Sequence, residues 1–149
     1  MRVLPALLAS TALLGACATP MEPGHDVPPT GGDSNDCAVI AAIAKEHYRF
    51  NATDNRPPPI RFEGGYAPRC DWSRHGLAFQ PYDPDAPGDP RQRMRWVSFA
   101  RPAYDGRGAV VETGIMHGPL AGQGYECRVL SGFAGWTVPE GSCRRTWVS

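Results

Sequence analysis

Lysine is almost missing from this chain: Lys45 stands alone and the other fourteen bases are arginine. Basic and acidic residues number fifteen each, so the formal net charge is +0 and no excess of positive charge is present to grip nucleic acid through its phosphates. No apolar run reaches the roughly 20 residues that a membrane-spanning helix needs. No cysteines stand in C-x-x-C spacing, and beyond Cys17 the nearest two are sixteen apart (Cys127 and Cys143), which removes zinc-ribbon and thioredoxin-type chemistry. There is no G-x-S-x-G nucleophile elbow, no phosphate loop ending in Lys-Ser/Thr, and no internal repeat.

What is present points to one folded unit. The 149 residues suffice for a single domain, and 42% hydrophobic with 20% charged residues is the balance of a globular chain rather than a disordered one. Gly (17) and Pro (16) are abundant, which predicts many turns and few long helices.

Met1-Arg2 is followed by an apolar stretch from Val3 to Ala16, giving the charged, apolar and small-residue regions of a secretory signal. Its last four residues, Leu14-Gly15-Ala16-Cys17, resemble the lipobox of bacterial lipoproteins. That resemblance implies removal of residues 1–16 as a signal peptide, a diacylglycerol on the Cys17 thiol and acylation of the new amino group. Each buried methylene contributes about 0.8 kcal/mol, so two or three acyl chains would hold the protein to a membrane. Residue 18 is Ala rather than Asp, which by the same resemblance implies the outer membrane, with the chain facing the periplasm. The triplet Ala16-Cys17-Ala18 also fits an A-x-A cleavage site, whose use would release a soluble protein.

Residues 17–35, the lipidated Cys and a run rich in Pro, Gly and small polar groups, have too little to bury to offset their ordering entropy; they are expected to form a disordered tether. Residues 36–149 form the expected domain. Asp36 is the expected N-cap of a helix over 37–51, with Ile40, Ile43, Ala44, His47 and Tyr48 on its apolar face. The prolines from Pro57 to Pro59 end helical structure, and Ile60–Glu63 is a short strand candidate. Residues 66–89 read as an irregular loop that lays Trp72, Leu77, Phe79 and Tyr82 over the core. Five strands are expected over 93–99, 109–115, 125–130, 135–138 and 144–148, with turns at 104–108 and 131–135. The predicted class is therefore α+β: one N-terminal helix packed on an antiparallel meander of about five strands.

Without Cys17, an even set remains: Cys37, Cys70, Cys127 and Cys143. In an exported chain these predict two disulfides, with three possible connectivities. The preferred pairing is Cys37–Cys70 with Cys127–Cys143.

Candidate chemistry is sparse. Asp71, Ser73 and His75 contain the residue types of a triad, but triad members must converge in space. Asp83, Asp85 and Asp89 faintly follow a calcium loop, yet Pro87 occupies the third ligand position and no Glu closes it; no metal or other cofactor is expected. Arg91, Arg93 and Arg95 alternate before Trp96, so a strand would present all three on one face, able to grip phosphate or carboxylate groups. His117 adjoins the glycine-rich tract Gly118–Gly124 and completes the candidate binding surface. The stretch from Trp96 to Ser149 loosely resembles the C-terminal half of small uncharacterised exported bacterial proteins, a resemblance that implies no activity. The expected function is a non-catalytic binding module of the envelope, lipid-anchored, whose partner is lipopolysaccharide, peptidoglycan or an envelope protein. Two alternatives stand beside it: an inhibitor of an extracytoplasmic hydrolase such as lysozyme or a protease, and a small hydrolase using His75 or His117.

Overall fold

A computed structural model describes residues 32–149. The expected signal peptide, Cys17 and most of the expected tether lie outside the described residues.

The first element is the helix α1 (Asp33–Glu46). It begins inside the segment assigned to the tether, because the Asp36 N–H donates to the Gly32 carbonyl at 2.9 Å and closes the first turn. Asp36 is thus not the cap. It sits within the helix, buried, and its two carboxylate oxygens accept from Tyr66 Oη at 2.8 Å and Tyr104 Oη at 2.5 Å. The helix also stops earlier than periodicity implies. Arg49 takes φ 61°, a left-handed conformation that ends helical winding. Beyond it the Asn51 side chain collects the backbone N–H groups of Thr53, Asp54 and Asn55. Of the anticipated apolar face, Ile40, Ile43 and Ala44 are fully buried and Val39 joins them, whereas His47 and Tyr48 fall past the helix end and are half-buried.

After α1 come β1 (Ile60–Phe62), a 3-10 turn (Trp72–His75), the short α2 (Pro90–Arg93), β2 (Trp96–Phe99) and β3 (Ala103–Tyr104). The chain ends with β4 (Gly108–Met116), β5 (Gly122–Gly132), β6 (Gly135–Thr137) and β7 (Cys143–Val148). The architecture is α+β, one main helix on a curled sheet. The sheet is mixed rather than a pure meander: β1 pairs parallel to β2 (Ile60 opposite Val97), while the other pairs are antiparallel. Its main path runs β1-β2-β4-β5-β6, with β3 on β4 and β7 on β5.

One face of the sheet packs against α1. Alternation along the strands sends Val97 and Phe99, Ala109 and Val111, and Cys127 and Val129 to that face, all fully buried. Each large aliphatic side chain removed from water contributes about 1.5–3 kcal/mol. Beside the helix, the irregular segment after β1 adds Leu77 and Phe79 to the core, with Trp72 packed against Phe79 (5.0 Å between ring centroids). The loop expected from sequence to cover the core does so.

Both disulfides take the preferred pairing. Cys37–Cys70 ties α1 to the loop entering the 3-10 turn, and Cys127–Cys143 joins directly opposed residues of β5 and β7. At the β3–β4 turn, Asp105 receives Arg128 and the backbone N–H groups of Arg107 and Gly108, which together hold its carboxyl at about 2.

The helix has a direction relative to the sheet. Its first turn meets Tyr104, opposite Ala109 near the start of β4, while Tyr48 just past its end bonds Thr113 Oγ1 at 3.1 Å. The start of β1, the start of β2 and the end of β4 lie at the opposite end of the sheet, where Trp96 faces Met116.

Candidate cleft at the proline-rich sheet end

The expected arginine strand is not formed. Arg91 and Arg93 lie in α2 because Asp89 caps it, accepting from the Arg91 N–H at 2.9 Å, and Pro90 supplies a preset first-turn φ. A helical turn spreads residues that a strand would align, so the three guanidiniums share no stripe. Arg95 follows the helix and leads into β2.

A different grouping results. Arg93 and Arg95 line a cleft of about 430 Å³ together with Arg56 and the adjoining Pro57, Pro58 and Pro59. Pro81 and Tyr82 add to its apolar lining. Arg91 does not line this cleft, and sequence reasoning did not select Arg56. The signal for Arg56 was the adjoining proline run, read only as a helix stop although such a run is also a stiff wall.

Asp83 and Asp89 reach the same cleft, but each has a local task. The Asp83 carboxylate accepts from the Asp85 N–H at 2.9 Å, and that of Asp89 caps α2. Two of the acids resembling a calcium loop, Asp83 and Asp89, therefore serve as turn and cap acceptors. The Arg93 guanidinium donates to the Ala86 carbonyl at 3.1 Å, and Arg56 Nε to the Ala52 carbonyl at 3.1 Å, which orients both side chains. Neither they nor Arg95 forms an ion pair among the described residues.

His117 lies just past β4, exposed, its N–H on the Ala121 carbonyl at 2.8 Å. Continuing the register beyond Trp96 and Met116 places Arg95 and His117 at the same end of neighbouring strands, although His117 does not line the cleft. The glycine-rich tract beside it is only partly a loop, since Gly122–Gly124 opens β5.

The residues resembling a triad do not converge as one. Ser73 donates its hydroxyl to Asp71 at 2.6 Å, and Asp71 pairs with Arg74 at 3.1 Å. The His75 ring faces Trp72 at 6.4 Å instead.

A second concave region, about 600 Å³, is lined by Glu46, His47, Arg49 and Cys143. A His47 ring nitrogen and the sulfurs of Cys127 and Cys143 lie within 4.8 Å of one another, but the sulfurs are bonded to each other and are not free ligands. The His47 imidazole packs edge-on to Tyr48 and Tyr125, with centroids 4.7 and 4.4 Å away. Burial lowers its pKa from 6.5, because the charged form loses hydration. The unfolded chain then takes up the proton first as pH falls. We expect the His47 imidazole signals in NMR to titrate below 6.5, and the stability contributed by neutral His47 to be fully present above that value and to be lost as pH falls from it through the lower folded-state pKa. A midpoint at or above 6.5 would contradict this.

No protein-family model matches the chain, and no match is found among the curated proteins or the solved structures.

Proposed function

We propose that this chain is an exported lipoprotein, anchored by acyl chains on Cys17, whose folded module binds an anionic component of the cell envelope in the Arg56–Arg93–Arg95 cleft. The carrying observation is that three arginines, none ion-paired among the described residues, line one cleft together with prolines and Tyr82. Guanidinium groups present fixed forks of donors that match phosphate and carboxylate oxygens, and the stiff proline lining limits the entropy lost when a ligand settles. Lipopolysaccharide phosphates, peptidoglycan carboxylates and acidic protein side chains share that chemistry. The role supported is recognition without catalysis.

The test has two arms. In the full chain, Arg56→Ser/Arg93→Ser/Arg95→Ser is expected to lose retention on immobilised lipopolysaccharide or isolated peptidoglycan by at least about tenfold, since each charged hydrogen bond contributes about 1.5–3 kcal/mol. Arg91→Ser should bind as the parent does. Equal retention of parent and triple variant defeats the cleft assignment. Separately, mass spectrometry of membrane-extracted protein should find Cys17 diacylated, and Cys17→Ser should leave the membrane fraction. An unmodified thiol at Cys17 defeats the anchoring.

A further inference from the structure

One residue adopts a conformation that folding does not call for. Among the described residues other than glycine, Arg49 and Leu120 alone take a positive φ, and Leu120 stands at 54°. It lies at the tip between β4 and β5, where the Ala121 N–H donates to the Gly118 carbonyl at 3.3 Å and closes a four-residue turn. Pro119 fills the second position of this turn and Leu120 the third, which in a type II turn calls for glycine or asparagine. A leucine is strained there, and its side chain is 87% exposed, so no burial offsets the strain. Strain and an apolar side chain in water meet at one position, a combination that marks residues kept for binding rather than for folding.

Register shows what surrounds it. Trp96 faces Met116, Met116 faces Gly122, and Gly122 exchanges both backbone hydrogen bonds with Ser149. The ends of β2, β4, β5 and β7 therefore bring Met94, Leu120 and Val148 to one end of the sheet, and all three are exposed. Arg95, which lines the arginine cleft, joins that end one residue before Trp96. Two strand spacings, roughly 10 Å, separate β2 from β5. The acids of the cleft, Asp83 and Asp89, belong to the segment before α2 rather than to these strand ends, and both are engaged as turn and cap acceptors.

We infer, resting on the arginine-cleft reading above, that the anionic component is the phosphate surface of a lipid layer. The Gly118–Ala121 tip inserts Leu120 among the lipids while Arg56, Arg93 and Arg95 hold headgroup phosphates. Met94 and Val148 widen the apolar contact, so apolar burial and charge attraction, the two contributions to interfacial binding, act at one end of the domain. A convex apolar tip suits a surface that parts around it. A peptidoglycan strand or an acidic protein surface would engage the arginines and leave Leu120 in water.

The test places the full chain in bicelles of phosphatidylglycerol and phosphatidylcholine that carry a nitroxide on an acyl chain. The Leu120 methyl signals, assigned by their absence in Leu120→Asn, are expected to be lost almost completely to paramagnetic relaxation. The ring signals of Phe133 should persist, since that exposed residue sits on the β5–β6 turn at the opposite end of the sheet. In Arg56→Ser/Arg93→Ser/Arg95→Ser most of the Leu120 signal should return. Asparagine tolerates this φ, so Leu120→Asn is expected to unfold in urea at the parent's midpoint or above it. A lower midpoint would make Leu120 a folding residue and overturn the inference. Persistence of the Leu120 signal, or loss of Phe133 in its place, would overturn it too, and would leave the cleft reading standing if the parent is still retained on peptidoglycan. Undiminished loss of the Leu120 signal in the triple-arginine variant would overturn the headgroup role of the cleft.

Discussion

Replacing Cys37 and Cys70 together with serine is expected to destabilise the fold by about 3–4 kcal/mol, the loop-closure entropy of a cross-link spanning 33 residues. The mechanical consequence is local as well. This bridge fastens the first turns of α1 to the loop that carries Trp72, Leu77 and Phe79 onto the core, and few regular hydrogen bonds hold that loop otherwise. Urea unfolding should show a lower midpoint for the double-serine variant. Removing Cys127–Cys143 should cost less, about 3 kcal/mol in the same model, because its 16-residue loop is shorter. The β5–β7 ladder continues on one side of that bridge. A loss below about 1 kcal/mol on removing Cys37–Cys70 would show that the loop docks without its cross-link.

Asp36→Ala should be nearly as damaging, by about 2–4 kcal/mol, since it strips the acceptor from two tyrosine hydroxyls at once. Tyr66 is buried and Tyr104 half-buried, and both hydroxyl pKa values are driven up, first by burial and then by the hydrogen bond to Asp36. The carboxylate thus ties the helix start to the segment after β1 and to β3. In the triple variant Asp36→Leu/Tyr66→Phe/Tyr104→Phe no polar atom of the trio is left unsatisfied, so most of the loss should be recovered. Equilibrium denaturation of the two variants decides it. If Asp36→Ala is as stable as the parent, the trio is ornamental to folding.

These two linkages show where sequence patterns carried structural information and where they stopped. Ile40, Ile43 and Ala44 were legible because helical spacing and burial follow one period. The strands from Trp96 onward were legible because they alternate. Asp36 was misplaced because an acid before an apolar run is the local signature of a cap, while its actual partners lie 30 and 68 residues away. The arginine stripe failed for the converse reason. Alternation was counted over Arg91, Arg93 and Arg95 without weighing the preceding Asp89 and Pro90, which start a helical turn, and Arg56 entered the cleft through a parallel β1–β2 pairing that no local pattern announces. Gly122 and Gly124 suggested a loop because glycine weakens strands. They belong to β5 because Trp147, distant in sequence, takes the place of their missing side chains.

The orientation of α1 gives the module two poles. The described chain enters α1 at the pole of Tyr104, whereas Arg56 and Arg95 stand at the pole where β2 begins, separated by the length of β4, about 25 Å for its nine residues. A ligand held in the guanidinium cleft would accordingly sit at the end of the domain remote from the start of α1.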